Sequence, residues 1–237
     1  MNFENILSIP QEIICLSLSE SKDRRKIFED KWGKLLEGKN FRYHISERAT
    51  FDIIDRKLKN FSGSFLQPNT TPENIARLGC WFSHYEILSN ARSRNVKSVL
   101  VLEDDTFPNL QHLEDRISDP PPDWDILYLG SSGIDVLANF SDKSFITETT
   151  FRDSKSRYNY KDWKKVRAWG TYSMIVKDTV FDKYIKELKD YAIPNTEVQE
   201  FPTADGTFYF YLWKFFSFYF SKHFVTHDDS QISTIKI

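Results

Sequence analysis

The stretch Ser98-Val99-Leu100-Val101-Leu102-Glu103-Asp104-Asp105 constrains the fold of this chain more than any other. Its run of Val and Leu reads as a buried strand, and it stops on three consecutive carboxylates. Charges leave water only when they are paired or bind a cation, so the end of this strand should open onto something positive. Residues two apart share a strand face, so Glu103 and Asp105 can converge on one cation. Two carboxylates supply hard oxygen ligands, suited to Mg²⁺ or Mn²⁺ carrying phosphates and water. The competing readings are a solvated turn, or Asp105 capping a helix opened by Pro108. The apolar run favours the ligand site, because it draws the strand end into the core.

Around this strand, strand and helix signals alternate. Residues 12–18, Glu-Ile-Ile-Cys-Leu-Ser-Leu, form a short apolar strand, and 19–38 read as a helix capped by Ser19 or Ser21 and ended by Gly38. A second strand is expected at 41–45. Thr71-Pro72-Glu73 places a capping hydroxyl, a first-turn proline and an acid in order, and Ile75, Leu78, Phe82 and Tyr85 follow at helical spacing, giving a helix over 72–94. Further strands are expected at 124–130 and 166–177, then a helix over 179–191. Residues 131–163 are polar and irregular, which suits a long active-site loop or small insertion. The aromatic stretch 203–220 is expected to be helical and packed in the core, with an acceptor-binding or membrane-adjacent surface as the alternative, and 223–226 to be a final strand. Such alternation implies an α/β domain with a largely parallel central sheet flanked by helices. In such sheets ligands sit beyond the carboxyl ends of the strands, where the Glu-Asp-Asp run lies.

The length of 237 residues suits one domain, or two closely packed halves at about 1–130 and 131–237. With 32 Lys+Arg against 34 Asp+Glu there is no basic field to attract nucleic acid. Cys15 and Cys80 form no disulfide framework and suit a reducing compartment. They read as buried thiols, and the lack of close-spaced cysteine pairs argues against a zinc site. The N-terminal residues lack the basic flank and apolar run of a signal peptide, so a cytoplasmic protein is expected. The segment 208–220 contains Lys214 and is shorter than the roughly 20 apolar residues of a membrane span, which leaves only peripheral membrane contact open. No phosphate-binding or dinucleotide glycine motif is present to support an ATP or NAD enzyme.

Glu103-Asp104-Asp105 after an apolar strand, with Gly79-Cys80-Trp81-Phe82-Ser83-His84 some twenty residues upstream, resembles glycosyltransferase family 25, the sugar-transferring enzymes of lipooligosaccharide and collagen glycosylation. Residues 13–28, with their Asp-Arg-Arg, resemble the first strand and helix of that family, and 167–178 and 203–205 resemble it more weakly. The loop at 131–163 has no counterpart. The resemblance implies a GT-A fold, with a nucleotide-binding half merged into a mixed acceptor half, and a metal-dependent, inverting transfer from a UDP- or GDP-sugar. The acceptor would be a hydroxyl of a glycan, a glycolipid or a protein.

On this resemblance Glu-Asp-Asp is a variant of the Asp-x-Asp metal motif. Asp105 would bind Mn²⁺ or Mg²⁺ directly, Glu103 would reach the metal through water or meet the donor ribose, and Asp104 would bind the nucleotide or face the fold. His227, after the last strand, would supply a third metal ligand; a solvated tail is its plainer reading. Arg24, beside Arg25, would contact donor phosphate or base, against the commoner role of an exposed helix arginine. Leu16 and Ser17 would offer backbone contacts to the nucleobase, while Ser83 and His84 would shape the donor pocket, although packing within the helix explains His84 equally. Gly170 and Thr171 would line the sugar site. Asp205 would take the proton of the acceptor hydroxyl as general base, or else would only complement a helix N-terminus. The alternatives are a Mg²⁺-dependent phosphohydrolase or nucleotidyltransferase built on the same acids, and a non-catalytic carbohydrate-binding protein.

Overall fold

A computed structural model describes residues 2–62, 65–114, 119–120, 122–130, 145–147, 172–191, 218–221 and 224–227. The chain enters through a short helix, α1 (Phe3–Ile6), and forms β1 (Glu12–Leu18), α2 (Lys22–Leu36) and β2 (Phe41–Ser46). Next come α3 (Phe51–Ser62), α4 (Pro72–Ser93), β3 (Ser98–Glu103) and β4 (Thr106–Pro108). The rest of the described chain gives β5 (Ile126–Tyr128), β6 (Phe145–Thr147), β7 (Ser173–Lys177), α5 (Asp178–Tyr191), β8 (Phe218–Ser221) and β9 (Val225–His227).

Seven strands form one sheet in the order β2-β1-β3-β7-β5-β8-β6, while β4 and β9 form a separate antiparallel pair. β2, β1 and β3 run parallel, with α2 as the crossover from β1 to β2. β7 is antiparallel to both β3 and β5, β8 is parallel to β5, and β6 is antiparallel to β8. The fold is therefore α/β, with a parallel N-terminal half and a mixed second half. The carboxyl end of β3 lies beside the carboxyl end of β1, the position where open α/β sheets hold their ligands.

Strand alternation builds two cores. Val99 and Val101 pack with Leu78 and Trp81 of α4 and Val180 of α5 on one face. Leu100 and Leu102 pack with Phe28 and Trp32 of α2 and with Phe224 on the other. All four β3 side chains are fully buried, and truncating such a leucine to alanine costs about 2–5 kcal/mol. The sheet is thus clamped on both faces just before the acids.

The helices that frame the site start and stop for local reasons. Thr71 Oγ1 accepts the amide N–H of Asn74 at 3.3 Å and Pro72 fills the first turn of α4. Asn95, at φ 56°, closes the other end in the left-handed region that Asn tolerates. Within α4, a side chain on Gly79 would place its Cβ 2.5 Å from that of Ala49. Only glycine lets the helix lie this close to the chain leaving β2. Ser21 stands at the N-cap of α2 but makes no side-chain capping bond.

Several expectations are corrected. Phe218–Ser221 is a strand hydrogen-bonded into the sheet, so the aromatic stretch does not end as a helix. Residues 203–217 lie outside the described residues. Pro108 opens no helix but ends β4, and Phe145–Thr147 within the supposed irregular loop forms a strand. α3 fills a stretch without a sequence assignment; it packs Ile54 and Leu58 into the core. No helix among the described residues is long and apolar enough to cross a membrane.

Candidate functional site

The site is built where β3 ends. Glu103 is the last strand residue, and the chain turns at Asp104 and Asp105 before β4 begins. The turn is held from both sides of the sheet. Glu103 N–H donates to the Tyr172 carbonyl at 3.2 Å, Asp104 N–H donates to the Leu16 carbonyl at 3.1 Å, and Thr106 Oγ1 donates to the Glu103 carbonyl at 2.7 Å. The indole N–H of Trp32 donates to the Thr106 carbonyl at 2.8 Å, fixing α2 to the start of β4.

Because the strand stops at Glu103, the two-residue alternation does not extend to Asp105. The odd-numbered face of β3 looks toward α4, and Glu103 joins Cys80 and His84 there, with one ligand atom of each within 4.8 Å of the others. Asp104 and Asp105 instead meet α2 and β9. Arg24 Nη2 contacts Asp104 Oδ1 at 2.5 Å and also pairs with Asp105 Oδ2. His227 Nε2 lies 3.2 Å from the same Asp105 oxygen. Asp104 Oδ2 accepts a 2.6 Å hydrogen bond from Ser17 Oγ, which in turn accepts one from Arg25 at 2.8 Å. Arg25 also donates to the Leu18 and Ser19 carbonyls, which ties the end of β1 to the first turn of α2.

The electrostatics follow from these partners. Burial pushes the Asp105 carboxyl up, but the His227 hydrogen bond and the Arg24 charge outweigh it and hold the group below the usual carboxylate range. For Asp104 burial prevails, helped by the Asp105 charge, and its pKa is raised despite Ser17 and Arg24. Glu103 is pushed up to about 8, first by burial and then by the neighbouring charge of Asp105. Burial lowers His84 to about 3, with His44 adding a like-charge penalty, so its imidazole is neutral.

The Asp105–His227 pair fits a divalent ion on two observations. Asp105 Oδ1 is buried and has no hydrogen-bond partner among the described residues, and a buried carboxylate oxygen left unsatisfied is costly. The 3.2 Å between Asp105 Oδ2 and His227 Nε2 matches adjacent ligands on one ion of about 2.1–2.2 Å bond length. An imidazole beside a carboxylate favours a first-row transition ion such as Mn²⁺ over Mg²⁺.

His227 reaches the acids through backbone pairing. β9 pairs with β4, with Thr106 opposite His227, and Val225 N–H donates to the Leu129 carbonyl at 3.0 Å. A Cβ on Gly130 would stand 2.0 Å from the Val225 carbonyl oxygen, so glycine is required for this close approach. Tyr172 packs its ring 5.3 Å from the imidazole of His227. Tyr172 and Gly130 were not singled out for the site in the sequence, because their roles depend on strand pairings that local patterns do not reveal.

Other predicted site residues are placed as follows. Ser83 is buried, donates to the Gly79 carbonyl at 2.9 Å and meets Ser46 Oγ at 2.9 Å, joining α4 to the end of β2. Leu16 packs partly into the core while its carbonyl receives Asp104 N–H. Asp205, Gly170 and Thr171 lie outside the described residues.

Comparison with known proteins bears on this arrangement. The sequence profile described as "Glycosyltransferase family 25 (LPS biosynthesis protein)" matches residues 10–199. The chain belongs to glycosyltransferase family 25. Over 137 residues it is 26% identical to procollagen galactosyltransferase 2 of Homo sapiens, covering 53% of this chain and 21% of that protein. Over 71 residues it is 34% identical to procollagen galactosyltransferase 1 of Danio rerio, covering 27% of this chain and 12% of the relative. The matched segments are thus a small part of both curated relatives. Among solved structures, a glycosyltransferase involved in the glycosylation of the major capsid of PBCV-1 aligns with a TM-score of 0.45 at 13% identity, over 85% of this chain and 75% of that one. The galactosyltransferase LgtC, in complex with donor and acceptor sugar analogs, aligns with a TM-score of 0.39 at 10% identity, over 83% and 68% of the two chains.

Proposed function

We propose that this family 25 domain transfers a sugar from a nucleotide-sugar donor to a hydroxyl group, inverting the anomeric centre. The observation that carries the reading is the meeting of Arg24, Asp105 and His227, from the beginning, middle and end of the described chain, at the carboxyl end of β3. Together they provide an anionic ligand, an imidazole and a guanidinium around one point, as a diphosphate leaving group requires.

In this reading Asp105 and His227 would hold a divalent ion, Mn²⁺ or Mg²⁺, which would neutralise the charge that develops on the departing diphosphate. Arg24, beside Asp104 and Asp105, would turn to the donor phosphates. Ser17 keeps Asp104 oriented toward the nucleotide, and the backbone at Leu16 and Ser17 faces the base. Glu103 lies beside the donor ribose or a water of the ion, with Ser83 and His84 fixing the wall behind it. Gly170 and Thr171 line the sugar. Asp205 accepts the proton of the acceptor hydroxyl as its oxygen attacks the anomeric carbon. The carbon–oxygen bond to the diphosphate breaks on the opposite face, and its electron pair leaves with the phosphate oxygen. Residues 1–130 serve the nucleotide sugar and 131–237 the acceptor. Two cysteines far apart in sequence, Cys15 and Cys80, suit a cytoplasmic setting.

Two of the relatives are galactosyltransferases acting on procollagen, and the family profile names lipopolysaccharide biosynthesis. A nucleotide-activated galactose is therefore the first donor to test, with glycan, lipid-linked glycan and protein hydroxyls as acceptor classes. The test is a panel of UDP- and GDP-sugars with Mn²⁺, read as nucleoside diphosphate release together with the mass gain of the acceptor. Diphosphate release matched by a hexose gain supports transfer. Phosphoester hydrolysis with no sugar moved would replace this reading by the phosphohydrolase one.

A further inference from the structure

The acid turn has a second cluster that the proposed transfer does not use as a unit. Cys80 and His84 are one helical turn apart on α4, so both project from the same face. β3 delivers Glu103 to that face, and a sulfur, an imidazole nitrogen and a carboxylate oxygen lie mutually within 4.8 Å. We propose that Cys80, His84 and Glu103 form a binding site for a thiophilic divalent ion of the Zn²⁺ class, separate from the Asp105–His227 pair.

Four observations support it. The donor set is that of three-ligand zinc sites: one sulfur, one nitrogen and one oxygen, with a fourth position for water. Zinc bonds of about 2.0–2.3 Å place tetrahedral ligands roughly 3.3–3.8 Å apart, so closure from the observed spacing needs only side-chain movement of about 1 Å. The imidazole of His84 is fully buried, so an ion held there would be shielded from bulk water on that side. Among the described residues the Glu103 carboxylate is in no ion pair, while Asp104 and Asp105 follow it directly with the same charge. Arg24 is committed to those two aspartates, and a cation at Cys80–His84–Glu103 would give Glu103 its own counter-charge. It would also staple α4 to the end of β3, immediately before the turn that presents Asp104 and Asp105.

The ligand chemistry separates this site from the neighbouring one. A thiolate selects Zn²⁺ or Co²⁺ over Mg²⁺ and Mn²⁺, whereas Asp105 and His227 lack sulfur. The inference does not depend on sugar transfer and can stand or fall apart from it.

Cobalt makes the site visible. The whole chain, stripped with a chelator and titrated with Co²⁺, is expected to develop a thiolate-to-cobalt charge-transfer band in the near ultraviolet and tetrahedral ligand-field bands in the visible. Added Zn²⁺ should bleach them. Cys80→Ser should abolish the charge-transfer band and His84→Gln should weaken binding at least tenfold. Cys15→Ser and Asp105→Asn should leave the band in place, which distinguishes this site from the other thiol and from the proposed donor metal. Circular dichroism establishes that each variant is folded. X-ray absorption of the zinc-loaded wild-type chain needs no variant, and should show one sulfur at about 2.3 Å with nitrogen and oxygen at about 2.0 Å. Absence of the charge-transfer band in wild type, its persistence in Cys80→Ser, or a zinc shell without sulfur would each overturn the proposal.

Discussion

Arg24 pairs with both Asp104 and Asp105, so a single guanidinium from the first turn of α2 is shared by the two carboxylates that follow β3. Both aspartates are almost fully buried, and removing one partner of a buried pair leaves an uncompensated charge that costs about 3–5 kcal/mol. Arg24→Ala is therefore expected to lower the melting temperature in chelator by an amount that Mn²⁺ largely restores. Arg24→Lys should restore much of the loss, because both contacts come from the single terminal nitrogen Nη2, a place one ammonium can fill. A thermal melt with and without Mn²⁺ checks this; equal melting of wild type and Arg24→Ala in chelator would show that the pairing contributes nothing.

Gly130 tests how His227 is delivered. A methyl group there would collide with the Val225 carbonyl, and the backbone shift needed to admit it costs about 1–3 kcal/mol. Gly130→Ala should weaken Mn²⁺-dependent nucleotide binding at least tenfold while the protein stays folded at room temperature. Unaltered binding would separate β9 from the site.

The pH dependence of stability has a clear contributor away from the site. Glu12 is buried, and although burial opposes its ionisation, Arg94 at 2.5 Å and Arg42 at 2.7 Å hold its carboxyl below the ordinary value. With the folded pKa depressed, the unfolded chain binds more protons between the two values, so this contribution is full above about pH 4.5 and is lost as pH falls through the folded pKa. Glu12→Gln should cost about 1–3 kcal/mol at neutral pH and flatten the stability curve in the acid range. Urea denaturation from neutral pH downward measures both, and parallel curves for the two proteins would contradict the pairing.

Asp205 tests the proton transfer separately. If it accepts the acceptor's proton, Asp205→Asn should keep nucleotide affinity and lose about 10²–10⁴ of the transfer rate. Normal turnover with a lowered melting temperature would reduce it to a helix-start residue.

Much of this was legible in the sequence because it is local. The apolar run of β3, the Thr71-Pro72 start of α4 and the Gly38 stop of α2 are set by neighbours a few residues away, and β1, β2, β3 and β5 lie where short apolar runs placed them. What escaped depends on pairings between distant segments. Phe218–Ser221 lies in an aromatic run whose short period does not tell a strand from a buried helix, and its pairing with β5 decides the matter. The acids were correctly read as the end of a buried strand, but the turn after Glu103 is a tertiary feature. It sends Glu103 toward Cys80 and His84, and Asp105 toward Arg24 and His227. The Gly-Cys-x-x-Ser-His stretch could be read as a motif, whereas the parts its residues play became visible only in the packing. Gly79 admits Ala49, Ser83 meets Ser46, and Cys80 and His84 face Glu103.

Asp105 and His227 are proposed to bind a donor diphosphate through a divalent ion. Calorimetric titration of the best nucleoside diphosphate into wild type, Asp105→Asn and His227→Ala, each with Mn²⁺ and with chelator, tests it most directly. Wild type should bind at least tenfold more tightly with Mn²⁺, and both variants should lose that gain while remaining folded. Binding of equal strength with and without Mn²⁺ in wild type, or a metal gain that survives in Asp105→Asn, would contradict the account.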